Sequence, residues 1–433
     1  MIKNNPDFYV YVWQRLPLIL MFANSYVVYR LFVITKLTDR FVLWSLRKSR
    51  GRITWICLYI TAAAALLSFF IPNAVTVLIL LPVLRTVEAE IALQTKHSLS
   101  TALTLSAIYG ANIGGMGSLI GSPANLLLIG ALDLYGVPGR EQISFFSWLI
   151  WGVPLAAIFA GAAWGLVGML AIPKKARGMS ISLGKLRNQP RLSEEQKSGG
   201  LLFILFLIFW ILESVFKELI AGFTLIESPL CICFFMLFLY FSFVRSPGLG
   251  AGENPSPGSS DGGLSRGRGV LRPEDMITGF PRRGILFLVI LLLFISVVRF
   301  FGLDRQAANM LSSVISGKLP VFALFFGVTV TVIFLTELLS NTVVSTAFFS
   351  FANFVALDHQ MSPLSLMIAV SIASTCAFMT PVATPCNALA FGEMRGTSFR
   401  VMLVSGFLLN IIGALLMSLW LQFVIPLVYT AAV

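Results

Sequence analysis

Two histidines and five cysteines in 433 residues leave little from which to build a metal centre. His97 and His359 fall at loop positions, and Cys57, Cys231, Cys233, Cys376 and Cys386 all lie in apolar stretches. Their odd number and the lack of ligand spacing argue against a disulfide framework and a zinc site. Charge is scarce, at 12% of residues, and acidic charge is scarcer, with 19 Asp and Glu against 31 Lys and Arg. No apolar stretch carries the paired His, Asp or Ser and Lys groups that an intramembrane enzyme would need. No N-terminal segment reads as a cleavable signal, because the first apolar stretch holds Arg15 and Arg30 and no small-residue cleavage pattern.

Apolar residues dominate instead, at 57% of the chain, which predicts an integral membrane protein. The length accommodates roughly ten crossing or re-entrant segments of about 20 residues. The net charge of +12 is not spread evenly. It gathers in residues 36–52, in the loop 173–200 and in the loop 246–283, while intervening loops are poor in Lys and Arg. That alternation follows the positive-inside rule and places the basic segments in the cytoplasm. It predicts a multi-pass protein of the cell's inner (plasma) membrane whose surroundings are lipid bilayer, with no nucleic-acid partner.

One phrase occurs twice. Gly121-Ser122-Pro123-Ala124-Asn125 interrupts a long apolar stretch of the first half, and Ala383-Thr384-Pro385-Cys386-Asn387 interrupts the matching one of the second. Each follows an apolar segment broken at an asparagine, Pro72-Asn73-Ala74 and Ser340-Asn341-Thr342. Helix breakers in hydrocarbon are costly, and paired interruptions mark a transporter built from repeats. The expected fold is an all-α polytopic membrane protein of two inverted repeats, each with a re-entrant hairpin and a broken transmembrane helix. Residues 1–198 form the first: a span, an interfacial helix, a cytoplasmic-side hairpin at 53–84, a broken span at 101–134 and a span at 145–172. Residues 199–433 form the second: spans within 200–245, a disordered linker at 246–283, a span at 284–303, an amphipathic piece at 304–318, an external-side hairpin at 320–356, a broken span at 362–393 and a span at 401–430. The N-terminal scaffold reads as reduced, with one span ahead of the first hairpin and three ahead of the second.

Hairpin tips and helix breaks expose carbonyl ends that attract cations and amide ends that attract anions. Pro123 and Pro385 cannot continue a hydrogen-bond ladder and hold the breaks open. Gly114, Gly115, Gly117 and Gly121 permit unusual backbone angles and close approach. Asn73, Asn125, Asn341 and Asn387 can each donate and accept. Glu337 is functional by default at membrane depth, unless it meets a basic partner at an interface. Glu213, Lys217 and Glu218 share a helix face near a span end and read as a solvated or interfacial ion cluster.

The run Ala111-Asn112-Ile113-Gly114-Gly115-Met116-Gly117-Ser118 through Asn125 resembles the first broken helix of the divalent anion–sodium symporters. Cys376-Ala377-Phe378-Met379-Thr380-Pro381 through Ala388 resembles their second, and Ser340-Asn341-Thr342 matches their hairpin motif. The resemblance covers about residues 10–430. It implies sodium-driven uptake of dicarboxylate, citrate or sulfate by homodimers, with a transport domain that moves as an elevator. No cofactor is implied beyond Na+ as coupling ion. By position, it implies sodium sites at Asn73 with Gly114, Gly117 and Gly121, and at Thr336 and Asn341 with Thr380 and Ala383. Substrate would meet Asn73, Asn125, Ser340, Asn341, Thr342, Thr384, Pro385 and Asn387. Pro72 and Ala74 replace the hydroxyl residues of the first hairpin motif, so the second half is expected to hold most of the substrate charge. An arsenite-type or sodium/proton exchanger shares the hairpin plan, but no confident carboxylate lies at either break. A transporter-derived sensor would need a signalling domain, for which 246–283 is too short.

Overall fold

The computed structural model describes residues 6–95, 98–182, 192–220, 222–245, 269–278, 301–302 and 320–430. Its first helices are α1 (Pro6–Thr35), α2 (Leu37–Lys48), α3 (Ile53–Ser68), α4 (Asn73–Thr95), α5 (Ser100–Gly117), α6 (Pro123–Tyr135) and α7 (Phe145–Leu170). Then come α8 (Glu194–Leu219), α9 (Thr224–Phe243), α10 (Pro273–Thr278), α11 (Val321–Thr336) and α12 (Asn341–Asp358). The last are α13 (Pro363–Ala373), α14 (Pro385–Glu393), α15 (Phe399–Phe423) and α16 (Ile425–Val428). The span expected at 284–303 and the amphipathic piece at 304–318 lie outside the described residues, apart from 301–302.

Contacts divide the chain into one unit of residues 1–40 and 189–281 and a second of residues 41–188 and 282–433. In the first unit α1 packs on α8 and α9. Phe209 and Phe234 stack with ring centroids 3.7 Å apart, and Ser228 Oγ donates to the Trp13 carbonyl at 2.8 Å. Part of the linker read as disordered is ordered here. Leu271 is buried, its amide donates to the Ser242 carbonyl at 2.9 Å, and Tyr26 Oη donates to the Met276 carbonyl at 2.8 Å. The cause is local: one apolar anchor precedes a Pro-initiated helix, and Asp275 accepts from the Arg272 amide at 2.7 Å.

The second unit is organised by helix breaks. Pro72 ends the first hairpin's turn, because a residue before proline is driven out of the helical region, and α4 starts directly after it. Ser340 opens α12 by accepting the Val343 amide at 3.3 Å. Ser122 and Thr384 do the same for α6 and α14, each followed by proline at the first helical position. Both α3 and α11 have 16 residues, or about 24 Å, short of the roughly 30 Å hydrocarbon thickness. Five helices or helix runs among the described residues are long and apolar enough to cross a membrane: those within α1, α7, α8 and α9, and α15 continuing into α16.

In this unit α3 lies along α5, α5 on α7, α11 on α15, α14 on α4, and α12 on both α13 and α6. The α3–α5 approach depends on glycine. A Cβ at Gly110 would lie 2.4 Å from the Thr61 carbonyl oxygen, and one at Gly114 would lie 2.3 Å from that of Ala65. One indole N–H of α7 also binds α5: Trp148 Nε1 donates to the Met116 carbonyl at 3.0 Å. Gly110→Val should therefore force α3 off α5 and cost about 1–3 kcal/mol. Thermal unfolding of the purified variant in detergent checks this, and a wild-type melting temperature would contradict the packing.

Candidate functional site

The two hairpin tips are built alike. At the first, Ser68 Oγ donates to Asn73 Oδ1 at 2.5 Å; at the second, Thr336 Oγ1 lies 2.6 Å from Asn341 Oδ1 and 3.0 Å from the Ser374 carbonyl oxygen. In both copies the hydroxyl stands five residues ahead of the asparagine. Three oxygens thus converge at the second tip around a single hydroxyl proton, an arrangement suited to a hard cation. At the first tip, carbonyl oxygens of Gly115, Ser68 and Gly114 lie 2.8, 3.0 and 3.3 Å from where a Cβ would project from Gly121. Ser68 and Ser374 were missed in the sequence reading. The repeated five-residue spacing was the available signal for Ser68. For Ser374 it was position, 13 residues before Asn387 as Asn112 is 13 before Asn125.

Of the two roles expected of the glycines, unusual backbone angles and close approach, the structure uses the second. None of Gly114, Gly115, Gly117 and Gly121 has a positive φ, and the first three belong to α5, not to the break. They serve close approach: a Cβ on Gly117 would strike the Phe69 ring at 2.3 Å. Ser118 Oγ also donates to the Phe69 carbonyl, so the first tip is seated on the end of α5.

Asn125 and Asn387, read as substrate ligands, are fully buried braces. Asn125 Nδ2 donates to the Gly115 and Ser118 carbonyls at 3.1 and 2.8 Å, and its Oδ1 accepts from Ser371 Oγ at 2.8 Å. Asn387 Nδ2 donates to the Ala377 and Thr380 carbonyls at 2.9 Å each. Both amide protons of each asparagine are thereby taken by carbonyls that the breaks set free. Thr384 caps α14 by accepting the Asn387 amide at 3.3 Å, and Pro385 follows it. Thr380 Oγ1 meets the Glu337 backbone oxygen at 3.4 Å, and Ala383 is buried; the oxygen that reaches Thr336 comes from Ser374. By contrast, Ser340 is exposed, and Asn73, Asn341 and Thr342 are half-buried, so these side chains remain accessible.

Among the described residues Glu337 meets no basic partner. Its carboxylate accepts from the amides of Phe378, Met379 and Thr380 at 2.7, 2.8 and 3.2 Å, and from Asn410 Nδ2 at 3.0 Å. The second tip is thus clipped to the extended backbone of the second break. Those amides are thereby occupied. In the Glu213–Lys217 cluster, Lys217 Nζ pairs with Glu227 at 2.7 Å; Glu213 and Glu227 are buried and Lys217 is half-buried.

Such a chain, with breaks braced by buried asparagines beneath accessible polar tips, has the fold of a membrane transporter. A solved structure of the Alcanivorax borkumensis YdaH transporter superposes with a TM-score of 0.53 at 13% identity, covering 98% of this chain and 90% of that one. The citrate transporter family model matches residues 7–249, more than half the chain, and the protein belongs to that family. It is therefore a transporter and not an enzyme. Relatives include the sodium-dependent dicarboxylate transporter SdcS of Staphylococcus saprophyticus, 26% identical over 88% of this chain and 71% of its own length. The sodium-dependent high-affinity dicarboxylate transporter 3 of Caenorhabditis elegans is 25% identical over 82% of this chain and 65% of its own length. An uncharacterized transporter of Haemophilus influenzae is 24% identical over 92% and 78%.

Removing the Glu337 carboxylate would leave three backbone amides and Asn410 without an acceptor. Unsatisfied buried donors cost roughly 1–3 kcal/mol each, so Glu337→Ala should lose on the order of 3 kcal/mol or more. Glu337→Gln, which keeps one carbonyl acceptor, should fall between. Melting curves of the three proteins decide it, and wild-type stability of Glu337→Ala would contradict the clip.

Proposed function

We propose that this protein is a secondary active transporter that couples sodium to the uptake of small anions, with dicarboxylates the leading class. The observation that carries this reading is the pair of hydroxyl–asparagine tips, each set against a helix break. The names of the relatives, sodium-dependent dicarboxylate transporters, support the same ion and substrate class. One sodium ion would lie among Ser68, Asn73 and the carbonyls near Gly114, Gly115 and Gly121, with Gly117 giving the space for the tip to seat. The second would lie among Thr336, Asn341 and the Ser374 carbonyl, with Thr380 beside it. Neutral oxygen ligands suit a monovalent hard cation at modest affinity.

The substrate's charged group would rest on the start of α12, where amide ends favour anions and the side chains of Ser340, Asn341 and Thr342 are accessible. Asn73 would contribute from the other half. The two halves are inverted repeats in this reading, one hairpin entering from each face, since α3 and α11 are too short to cross. The unit of α3–α7 and α11–α16 would move as the elevator in a homodimer of the plasma membrane. Glu337, held by four donors, is poorly placed to exchange protons, which disfavours a sodium/proton exchanger.

Uptake of labelled succinate, citrate and sulfate into proteoliposomes tests this directly. A dicarboxylate should accumulate only under an inward sodium gradient; uptake indifferent to sodium would overturn the reading. Asn341→Ala should abolish transport at normal folded yield, because it removes an oxygen shared by ion and substrate. Ser340→Ala and Thr342→Ala should each raise KM by about 10- to 100-fold, as loss of a hydrogen bond to a charged oxygen implies. Ala74→Ser should leave KM near wild type.

A further inference from the structure

The hairpin asparagine of one half is wired to the broken helix of the other through a residue that contacts neither a tip hydroxyl nor an accessible surface. Asn112, in α5, is fully buried. Its Oδ1 accepts from Asn73 Nδ2 at 3.2 Å and from the Cys386 thiol at 3.1 Å. Its Nδ2 donates to the Ala377 carbonyl at 2.9 Å and to Asn387 Oδ1 at 3.1 Å. A flipped amide would set donor against donor at Asn73 and acceptor against acceptor at Ala377 and Asn387, so one orientation is fixed. The bonds therefore form a directed chain: Asn73 donates to Asn112, Asn112 to Asn387, and Asn387 to the Ala377 and Thr380 carbonyls.

The direction matters. With its N–H group committed to Asn112 and its Oδ1 turned toward Ser68, Asn73 offers a cation only the oxygen. A cation on that oxygen polarises the amide and makes its N–H a stronger donor. Hydrogen bonds in series strengthen one another in a low-dielectric interior. The effect would pass through Asn112 to the brace that shapes the second break, whose preceding turn supplies the Ser374 carbonyl to Thr336. A separate bond between halves, Ser371 Oγ to Asn125, touches no hairpin asparagine.

We propose that Asn112 is a positioning residue that couples the two cation sites, so that filling the Asn73 site raises the affinity of the Thr336–Asn341 site. This rests on the sodium-coupled reading above, and coupling of this kind is reciprocal between the sites. Its signature is cooperativity, not loss of either site.

The test is sodium activation of uptake in proteoliposomes for the wild type, Asn112→Asp and Ser371→Ala. Asn112→Asp still accepts from Asn73 but has no amide donors: ionised it donates to neither Ala377 nor Asn387, and protonated to one of them at most. The wild type should show sodium activation steeper than two independent required sites give, Asn112→Asp should lose that excess cooperativity while retaining sodium dependence, and Ser371→Ala should keep wild-type cooperativity. Where Asn112→Asp is not monodisperse in detergent, the wild type and Asn112→Ser, too short to bridge to the second break, are read in the same way. Wild-type activation no steeper than two independent required sites give, retained excess cooperativity in the Asn112 variant obtained, or equal loss in Ser371→Ala would each overturn the proposal. A wild type that ignores sodium altogether would instead defeat the sodium-coupled reading itself.

Discussion

Backbone amides and carbonyls released at a helix break inside hydrocarbon have no water to turn to, so each needs a partner from the protein. The second unit of this chain can be derived largely from that requirement. The first break is satisfied by Asn125, which binds two carbonyls across it, and by the cap at Ser122. The second, longer break is satisfied by Asn387 on the carbonyl side and Glu337 on the amide side. A buried carboxylate is expensive when lone, and four donors make it tolerable here.

That division of labour sorts the polar residues of the motifs into two kinds. Some are consumed by the fold, with both amide protons aimed at their own half's backbone. Others, the tip asparagines Asn73 and Asn341, accept from a side-chain hydroxyl of their own hairpin. The tips are seated by other means: Phe69 over Gly117 and under Ser118 in the first half, Glu337 on residues 378–380 in the second. The equivalent tip positions thus carry an aromatic ring in one half and a carboxylate in the other. The halves share a plan but are fastened differently, by packing in one and by charge-assisted hydrogen bonds in the other.

Much of this was legible in the sequence, and the reasons are physical. Pro72, Pro123 and Pro385 in apolar runs mark where helices are interrupted, and Ser122 and Thr384, just before the last two, mark where the next helix begins. What stayed hidden was the direction of side chains. An asparagine beside a break can brace its own backbone or face a ligand, and only the packing of α13 and α14 decides that Asn387 does the former. Glu337 looked like a transport residue because nothing in the sequence announces that residues 378–380 offer three amides in a row. Glycine permits both bends and close approach, and only the packing shows that Gly114 and Gly117 are there for the missing Cβ. The ordered piece at 269–278 was lost in the averaged composition of a Gly- and Pro-rich linker, although Leu271 was its anchor.

The most direct test of the account is amide hydrogen exchange across the two breaks, in detergent or nanodiscs, with and without sodium. Amides at 378–380 should be protected even without sodium, since Glu337 already holds them, and sodium should add protection at 69–73 and 337–341. Exchange at 378–380 as fast as in a free peptide, or tips whose protection ignores sodium, would contradict it.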